Sequence, residues 1–163
     1  MYSGIFCQYF PSMDKKDFQI LHALQKEGRL SNQELAQRVN LSPSPCLRRV
    51  RQLEERGIIR GYTAIVDPDA YGYPLTVFVR ITLARHDTDT VAEFERRVRD
   101  IDEIMDCFLM TGQRDYLMRV VADSLSGYER FVRDVIHAIP GIASIDTSFA
   151  YGVVKRARAL PRR

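Results

Sequence analysis

The sequence predicts an α+β chain in two parts, an N-terminal winged helix-turn-helix domain followed by a C-terminal ferredoxin-like βαββαβ domain. Three observations predict it. Residues 31–57, SNQELAQRVNLSPSPCLRRVRQLEERG, read as two short helices around a tight turn, the second studded with arginine. Leu75, Val77, Val79, Ile81 and Leu83 alternate strictly, as a strand with one buried face does. Beyond them, helix-like and strand-like patterns take turns in the order βαββαβ.

Residues 1–12, MYSGIFCQYFPS, are aromatic-rich and uncharged. They lack the basic start and longer apolar run of a signal peptide. Either residues 1–13 are an ordered extension or Met13 is the natural start, and the second reading is favoured. A helix is expected from about Lys15 to Glu27, with Asp14 as its cap, Asp17 three residues on, Ile20, Leu21 and Leu24 as its stripe and Gly28 at its end. His22 falls on the opposite face, as a solvated residue.

Ser31 and Glu34 form S-x-x-E, a capping box in which each side chain satisfies a backbone N–H of the first turn. Leu35, Ala36 and Val39 give the short helix its apolar stripe. Asn40 tolerates the left-handed conformation in which helices often stop. Ser42-Pro43 then reads as a cap followed by proline at the first helical position. The second helix should run to about Arg56, with Gly57 ending it.

At about 100° per residue, Cys46, Leu47, Val50 and Leu53 gather on one side of that second helix. Ser44, Pro45, Arg48 and Gln52 point the other way, and Arg49, Arg51 and Arg56 flank that face. Arginine and glutamine at a groove-facing position hydrogen-bond base edges in two places at once. Flanking arginines suit phosphates, which fix register without carrying sequence information. The expected DNA-binding set is Ser31, Ser42, Ser44, Pro45, Arg48, Arg49, Arg51 and Gln52. Charge alone favours a solvated basic face on an ordinary amphipathic helix; the two-helix punctuation together with the arginines favours double-stranded DNA.

Residues 58–66 read as an extended segment, and Asp67-Pro68 and Gly72-Tyr73-Pro74 punctuate the stretch after it. The expected layout is a DNA-binding domain over 14–65, a linker over 66–74, a second domain over 75–152 and a basic tail over 153–163. Within the second domain, Val91, Phe94, Val98 and Ile101 have helical spacing. Residues 104–111 and 116–122 read as strands joined by Gly112-Gln113-Arg114-Asp115. Tyr128, Phe131, Val132, Val135, Ile136 and Ile139 mark a helix that Pro140-Gly141 ends, and 142–151 reads as the last strand. Two helices cover one face of such a sheet. The other face is left open, which calls for a partner subunit.

The net charge of +3 hides an uneven distribution. Residues 14–62 carry ten Lys/Arg against six Asp/Glu, residues 63–152 nine against fifteen, and residues 153–163 five against none. A basic head, an acidic body and a basic tail mean that only part of the chain meets nucleic acid. Cys7, Cys46 and Cys107 are odd in number and scattered, with neither a disulfide framework nor a zinc spacing, which fits a reducing cytoplasm. Cys46 lies on the buried stripe, as a small core residue. No apolar run approaches the length of a membrane span.

This arrangement resembles the Lrp/AsnC family of prokaryotic transcription regulators, and its leucine-responsive branch in particular. The resemblance covers Met13 to about Leu160 and rests on four phrases: residues 14–21, DKKDFQIL; residues 41–50, LSPSPCLRRV; residues 57–62, GIIRGY; and residues 111–116, TGQRDY, a G-x-x-D-Y turn. The aromatic N-terminal extension and the acid-free tail depart from the family pattern. The resemblance implies a homodimer built through the βαββαβ domains, assembled further into tetramers or octamers. It also implies an amino-acid effector near Thr111, Gly112, Gln113, Arg114 and Asp115, with no other cofactor and no metal. A free amino acid presents an ammonium, which Asp115 can receive, and a carboxylate, which backbone N–H groups near Gly112 can approach. Gly112 and Asp115 are also good turn formers, and that reading stands beside the first.

Two rival classes are a small amino-acid-metabolism enzyme and a ferredoxin-like RNA-binding module. An enzyme needs an acid, base or nucleophile constellation. His22, His86 and His137 have no carboxylate or cysteine at a ligand spacing along the chain. RNA binding on the sheet would want aromatics and basic residues on its open face, in a domain that is net acidic.

Overall fold

The structure, a computed structural model, describes residues 13–157 and 159–161. The expectations for residues 1–12 lie outside the described residues. The chain divides into two units. One takes the described residues up to Ala64 together with the tail from Lys155, and the other runs from Ile65 to Val154.

Among the described residues the first unit holds three helices: α1 (Lys15–Lys26), α2 (Asn32–Arg38) and α3 (Pro43–Glu55). Capping boxes open α1 and α2. Asp14 accepts from the Asp17 backbone while Asp17 accepts from the Asp14 backbone, and Ser31 and Glu34 exchange the same pair of bonds. Ser42 stands at the N-cap of α3, but its side chain makes no capping bond. Pro43 occupies the first turn, where an N–H would have no helical partner. Asn40 is left-handed, with φ 53°, and turns the chain between α2 and α3. The side-chain amide of Asn32 donates to the Pro43 carbonyl at 2.9 Å, tying the start of α2 to the start of α3. Ile20, Ala23, Leu35, Ala36, Val39, Cys46 and Leu53 form the core.

Three expectations shift here. Leu47, assigned to the buried stripe, is 39% exposed, because at about 100° per residue it lies a quarter turn from Cys46. His22 is half-buried rather than solvated. Residues 58–66 form no strand ladder among the described residues, and Ile65 and Val66 are exposed. The tail joins the helical unit through a Leu160 N–H donated to Gln25 Oε1 at 2.8 Å.

The second unit opens with a four-residue helix, α4 (Pro68–Tyr71), within the stretch expected as a linker. It continues β1 (Leu75–Leu83), α5 (Thr88–Arg99), β2 (Ile104–Leu109), β3 (Tyr116–Ala122), α6 (Leu125–Phe131), a π turn over Val132–Ile136, and β4 (Ile142–Phe149). The sheet order is β2-β3-β1-β4, with every pair antiparallel. This is the split-βαβ arrangement.

The covered face carries Val77, Val79, Ile81 and Leu83 of β1 and Tyr116, Met118, Val120 and Ala122 of β3, all buried. Phe94 and Val98 of α5, Tyr128 and Phe131 of α6, and Ile136 close over them. The Phe94 and Tyr116 rings lie 4.5 Å apart. The other face presents Phe78 and Arg80 of β1, Leu117 and Arg119 of β3 and Asp146 of β4, by the alternation of the strands. The register pairs Ile81 with Tyr116, which sets the ends of β1 and β3 beside the 111–115 turn.

Candidate functional site

Two surfaces hold the residues singled out in the sequence, one in each unit. In the first, helix geometry sorts the side chains of α3. Cys46 and Leu53 are fully buried, and burial pushes the Cys46 thiol pKa up, as suits a core residue. Ser44, Arg48, Arg51 and Gln52 are exposed on the far side, and with Leu47 and Glu55 they line one shallow hollow. Neither Arg48 nor Arg51 is held in an ion pair among the described residues. Glu55 shares this face at its C-terminal end, so positive charge concentrates toward the N-terminal half of α3. That half is the part of a recognition helix that meets base edges. Ser31 and Ser42 are exposed at the starts of α2 and α3, and Pro45 is half-buried.

Arg49 departs from the expectation of a flanking phosphate contact. Its Nη1 lies 2.7 Å from Asp14 Oδ2 and 2.8 Å from Asp17 Oδ1. Asp17 is buried, the guanidinium is largely covered, and the side chain fastens α3 to the start of α1. The Asp17 backbone N–H holds the Asp14 carboxyl below the usual carboxylate range, and the Arg49 guanidinium adds to that. Two acids at the opening of a helix look like capping residues in a sequence. Their second role depends on how α3 crosses α1.

A Schellman motif closes α3. Gly57 N–H donates to the Glu54 carbonyl at 2.8 Å and Ile58 N–H to the Leu53 carbonyl at 2.9 Å. Gly57 is left-handed, with φ 67°. Just beyond, the Tyr62 hydroxyl donates to Glu54 Oε1 at 2.9 Å. Burial and that carboxylate push the Tyr62 pKa up to about 12.

In the second unit, the 111–115 turn divides in two. Thr111, Gly112 and Gln113 are exposed at its tip, with Gly112 at φ 116°. Arg114 and Asp115 are anchors. Arg114 Nη1 donates to Ser144 Oγ at 2.8 Å and to Thr82 Oγ1 at 3.2 Å, and its Nη2 lies 3.8 Å from Asp146. Asp115 Oδ2 accepts the Leu83 N–H at 2.7 Å, while Oδ1 meets His86 Nε2 at 2.8 Å. The Asp115 backbone donates to the Ile81 carbonyl and accepts from the Met110 N–H, which closes the hairpin.

Burial raises the Asp115 pKa, but the Leu83 N–H and His86 outweigh it, so the carboxyl stays below the usual range. Asp115 is therefore a structural pin as well as a turn former, with both oxygens engaged. His86, which looks isolated along the chain, is not isolated in space. The signal that finds it is the β1–β3 register, which brings the exit of β1 against the entry of β3.

On the open sheet face, Arg119 meets Asp106 at 2.6 Å and Arg80 lies 3.9 Å from Asp146. Its basic groups are matched by acids, which disfavours an RNA platform there. Among the described residues no group of three or more His, Cys, Asp or Glu is placed to hold a metal ion. No helix among them is long and apolar enough to cross a membrane.

Residues 13–60 match the family model for a winged helix-turn-helix DNA-binding domain, and residues 76–160 match that of the Lrp/AsnC ligand-binding domain. The chain is 43% identical over 149 residues to the Bkd operon transcriptional regulator of Pseudomonas aeruginosa, covering 91% of this chain and 97% of that protein. It is 40% identical over 148 residues to the leucine-responsive regulatory protein of Escherichia coli, covering 91% and 90%. Among solved structures, a transcriptional regulator of Neisseria meningitidis in complex with L-methionine superposes with a TM-score of 0.88 at 39% identity, covering 92% and 97%. Escherichia coli AsnC superposes at 0.80 with 25% identity, covering 91% and 99%. Both halves of the chain and its order of elements agree with these relatives: the chain belongs to the Lrp/AsnC family of transcriptional regulators.

Proposed function

We propose that this regulator reads duplex DNA with the outward face of α3 and senses a free amino acid at the 111–115 turn. The observation that carries the first half is the exposed, unpaired Arg48 and Arg51 on that face. Arg48 reads a base edge with Ser44 and Gln52 beside it, and Arg51 binds phosphate. Ser31, Ser42 and Pro45 frame the contact, while Arg49 serves it by holding α3 in place. Thr111, Gly112 and Gln113 offer backbone N–H groups to the effector carboxylate, and Asp115 receives its ammonium through the lone pairs left to it. Arg114 braces the turn. The relative solved with L-methionine supports an amino acid as ligand. The protein acts in the cytoplasm as a homodimer joined through the open sheet faces, assembled further into tetramers or octamers. It catalyses no reaction and needs no cofactor beyond the effector.

The test starts from duplex fragments enriched by the protein itself from a random pool. Arg48→Ala should weaken binding by about 1–3 kcal/mol and relax selection at one position per half-site. Arg51→Ala should weaken all sequences alike and lower the slope of log K against log salt by about one. Half-sites should repeat at about 34 Å or multiples of it. A folded Arg48→Ala variant with unchanged affinity and selection would falsify the assignment. Equal binding of single-stranded RNA would favour the RNA-binding module.

A further inference from the structure

We propose that His86 is a working part of the effector site: its imidazole holds the Asp115 oxygen that an amino acid's ammonium must reach, so effector and His86 contend for one carboxylate. This rests on the reading that the effector sits at the 111–115 turn.

The geometry engages both oxygens of Asp115. Oδ2 accepts the Leu83 N–H at 2.7 Å, and the side chain is only 19% exposed. Oδ1 lies 2.8 Å from His86 Nε2. The imidazole itself is 65% exposed, so the oxygen it meets belongs to the more covered partner of the pair. A carboxylate oxygen has two lone-pair positions, and an ammonium hydrogen can share Oδ1 with a neutral imidazole. An imidazolium changes that. It sets one positive charge beside another on a single oxygen, at a separation of about 5 Å. Even at the dielectric of water that repulsion is worth about fourfold in affinity, and more where water is excluded.

The neighbouring charges do not relieve it. Arg85 and Asp87 flank His86 and face each other at 3.5 Å, while Asp87 also caps α5 by accepting from the Thr90 N–H. Arg114 adds no negative charge and is committed to Thr82, Ser144 and Asp146. Asp115 is the acid paired with His86 among the described residues.

The effector therefore prefers the protein with neutral His86, and binding expels a proton wherever His86 was charged. Affinity is higher at alkaline than at acid pH. The same linkage makes His86 a filter: a ligand that presents no ammonium to Asp115 gains nothing from its deprotonation.

The experiment is calorimetric titration of the full chain at about pH 5.5 and about pH 8, in pairs of buffers with different ionisation enthalpies. The probe is L-methionine, followed by the tightest binder among the other proteinogenic amino acids. Wild type should bind about fourfold or more tightly at the higher pH, with proton release at the lower one. His86→Gln should bind tightly at both, with a flat pH profile and no buffer dependence. His86→Asn is the second variant, and melting temperatures check that both fold. A flat wild-type profile overturns the proposal. So does a reversed one, which would mean that the imidazolium grips the effector carboxylate instead. Asp115→Ala separates the two levels. If it binds like wild type, the turn is not the effector site. If it loses binding while His86→Gln keeps the wild-type affinity and pH profile, the turn stands and the role of His86 fails. Absence of binding by every amino acid sinks both.

Discussion

Arg48 and Arg49 are neighbours in the chain with opposite employment. A rotation of about 100° turns one guanidinium outward and the other against α1. The pair of contacts from Arg49 to Asp14 and Asp17 joins the two helices across thirty-two positions of chain in the Asp17 case. Hydrogen bonds to charged groups contribute about 1.5–3 kcal/mol each, toward the low end where solvent reaches them. Arg49→Ala should therefore lower the unfolding free energy by about 1–3 kcal/mol, read from denaturant melts. Arg48→Ala should stay within about 0.5 kcal/mol of wild type. Arg49→Lys should recover only part of the loss, since a point charge cannot reproduce the guanidinium geometry. Equal melts for Arg48→Ala and Arg49→Ala would refute the division. Helical periodicity made the outward arginines legible in the sequence and placed Arg49 at the margin. What it could not supply was the partner, because Asp14 and Asp17 meet α3 only after the three helices have packed.

At the scale of elements, punctuation was the most legible signal and hydrogen-bond type the least. The capping boxes at Asp14/Asp17 and Ser31/Glu34 form as read, because their partners lie three residues away. β1 and β3 begin and end where alternation begins and ends, since one face of β3, and of β1 from Val77 onward, is buried. β2 and β4 stop short of their apolar runs: Met110 and Tyr151 lie outside the strands. Residues 58–66 have strand composition but pair in no ladder among the described residues, for composition alone does not supply a neighbouring strand. The apolar spacing from Tyr128 to Ile139 could not distinguish α from π winding. His137 N–H reaches back five residues to the Val132 carbonyl at 2.9 Å, and the same side chains still point inward. The C-terminus of α3 offers a clean test of punctuation. A Cβ on Gly57 would meet nothing within 4 Å, so a substitution there probes backbone conformation alone. Gly57→Ala should cost about 1–2 kcal/mol. Asn40, also left-handed, should tolerate glycine with little loss. A Gly57→Ala melt indistinguishable from wild type would mean that the Schellman closure contributes nothing.

For the whole molecule, charge separates the tasks: the unit that meets DNA is basic and the sheet domain is acidic. The family resemblance points to the 111–115 turn as the effector site through its G-x-x-D-Y phrase, yet the sequence could not show that Asp115 is bonded on both oxygens. Those bonds arise from the register of β1 against β3, a long-range property. The consequence is a specific form of coupling. Asp115 and the outward face of α3 belong to different units, so on the proposed reading a ligand at the turn would reach DNA binding through the arrangement of subunits. It shifts that arrangement only by its difference in affinity for the alternatives. The bond from Asp115 to the Leu83 N–H shapes the turn, and the proposed effector adds its contacts to that frame. Asp115→Ala should therefore abolish the amino-acid response and leave affinity for a single pair of half-sites close to wild type. Linkage demands the converse, that DNA change effector affinity by the same factor in wild type. DNA binding and assembly size followed together through an amino-acid titration test this, by fluorescence anisotropy and sedimentation. A full response in Asp115→Ala would sink the mechanism, because the turn would then be dispensable. A wild-type response with no change in assembly or subunit arrangement would sink it too.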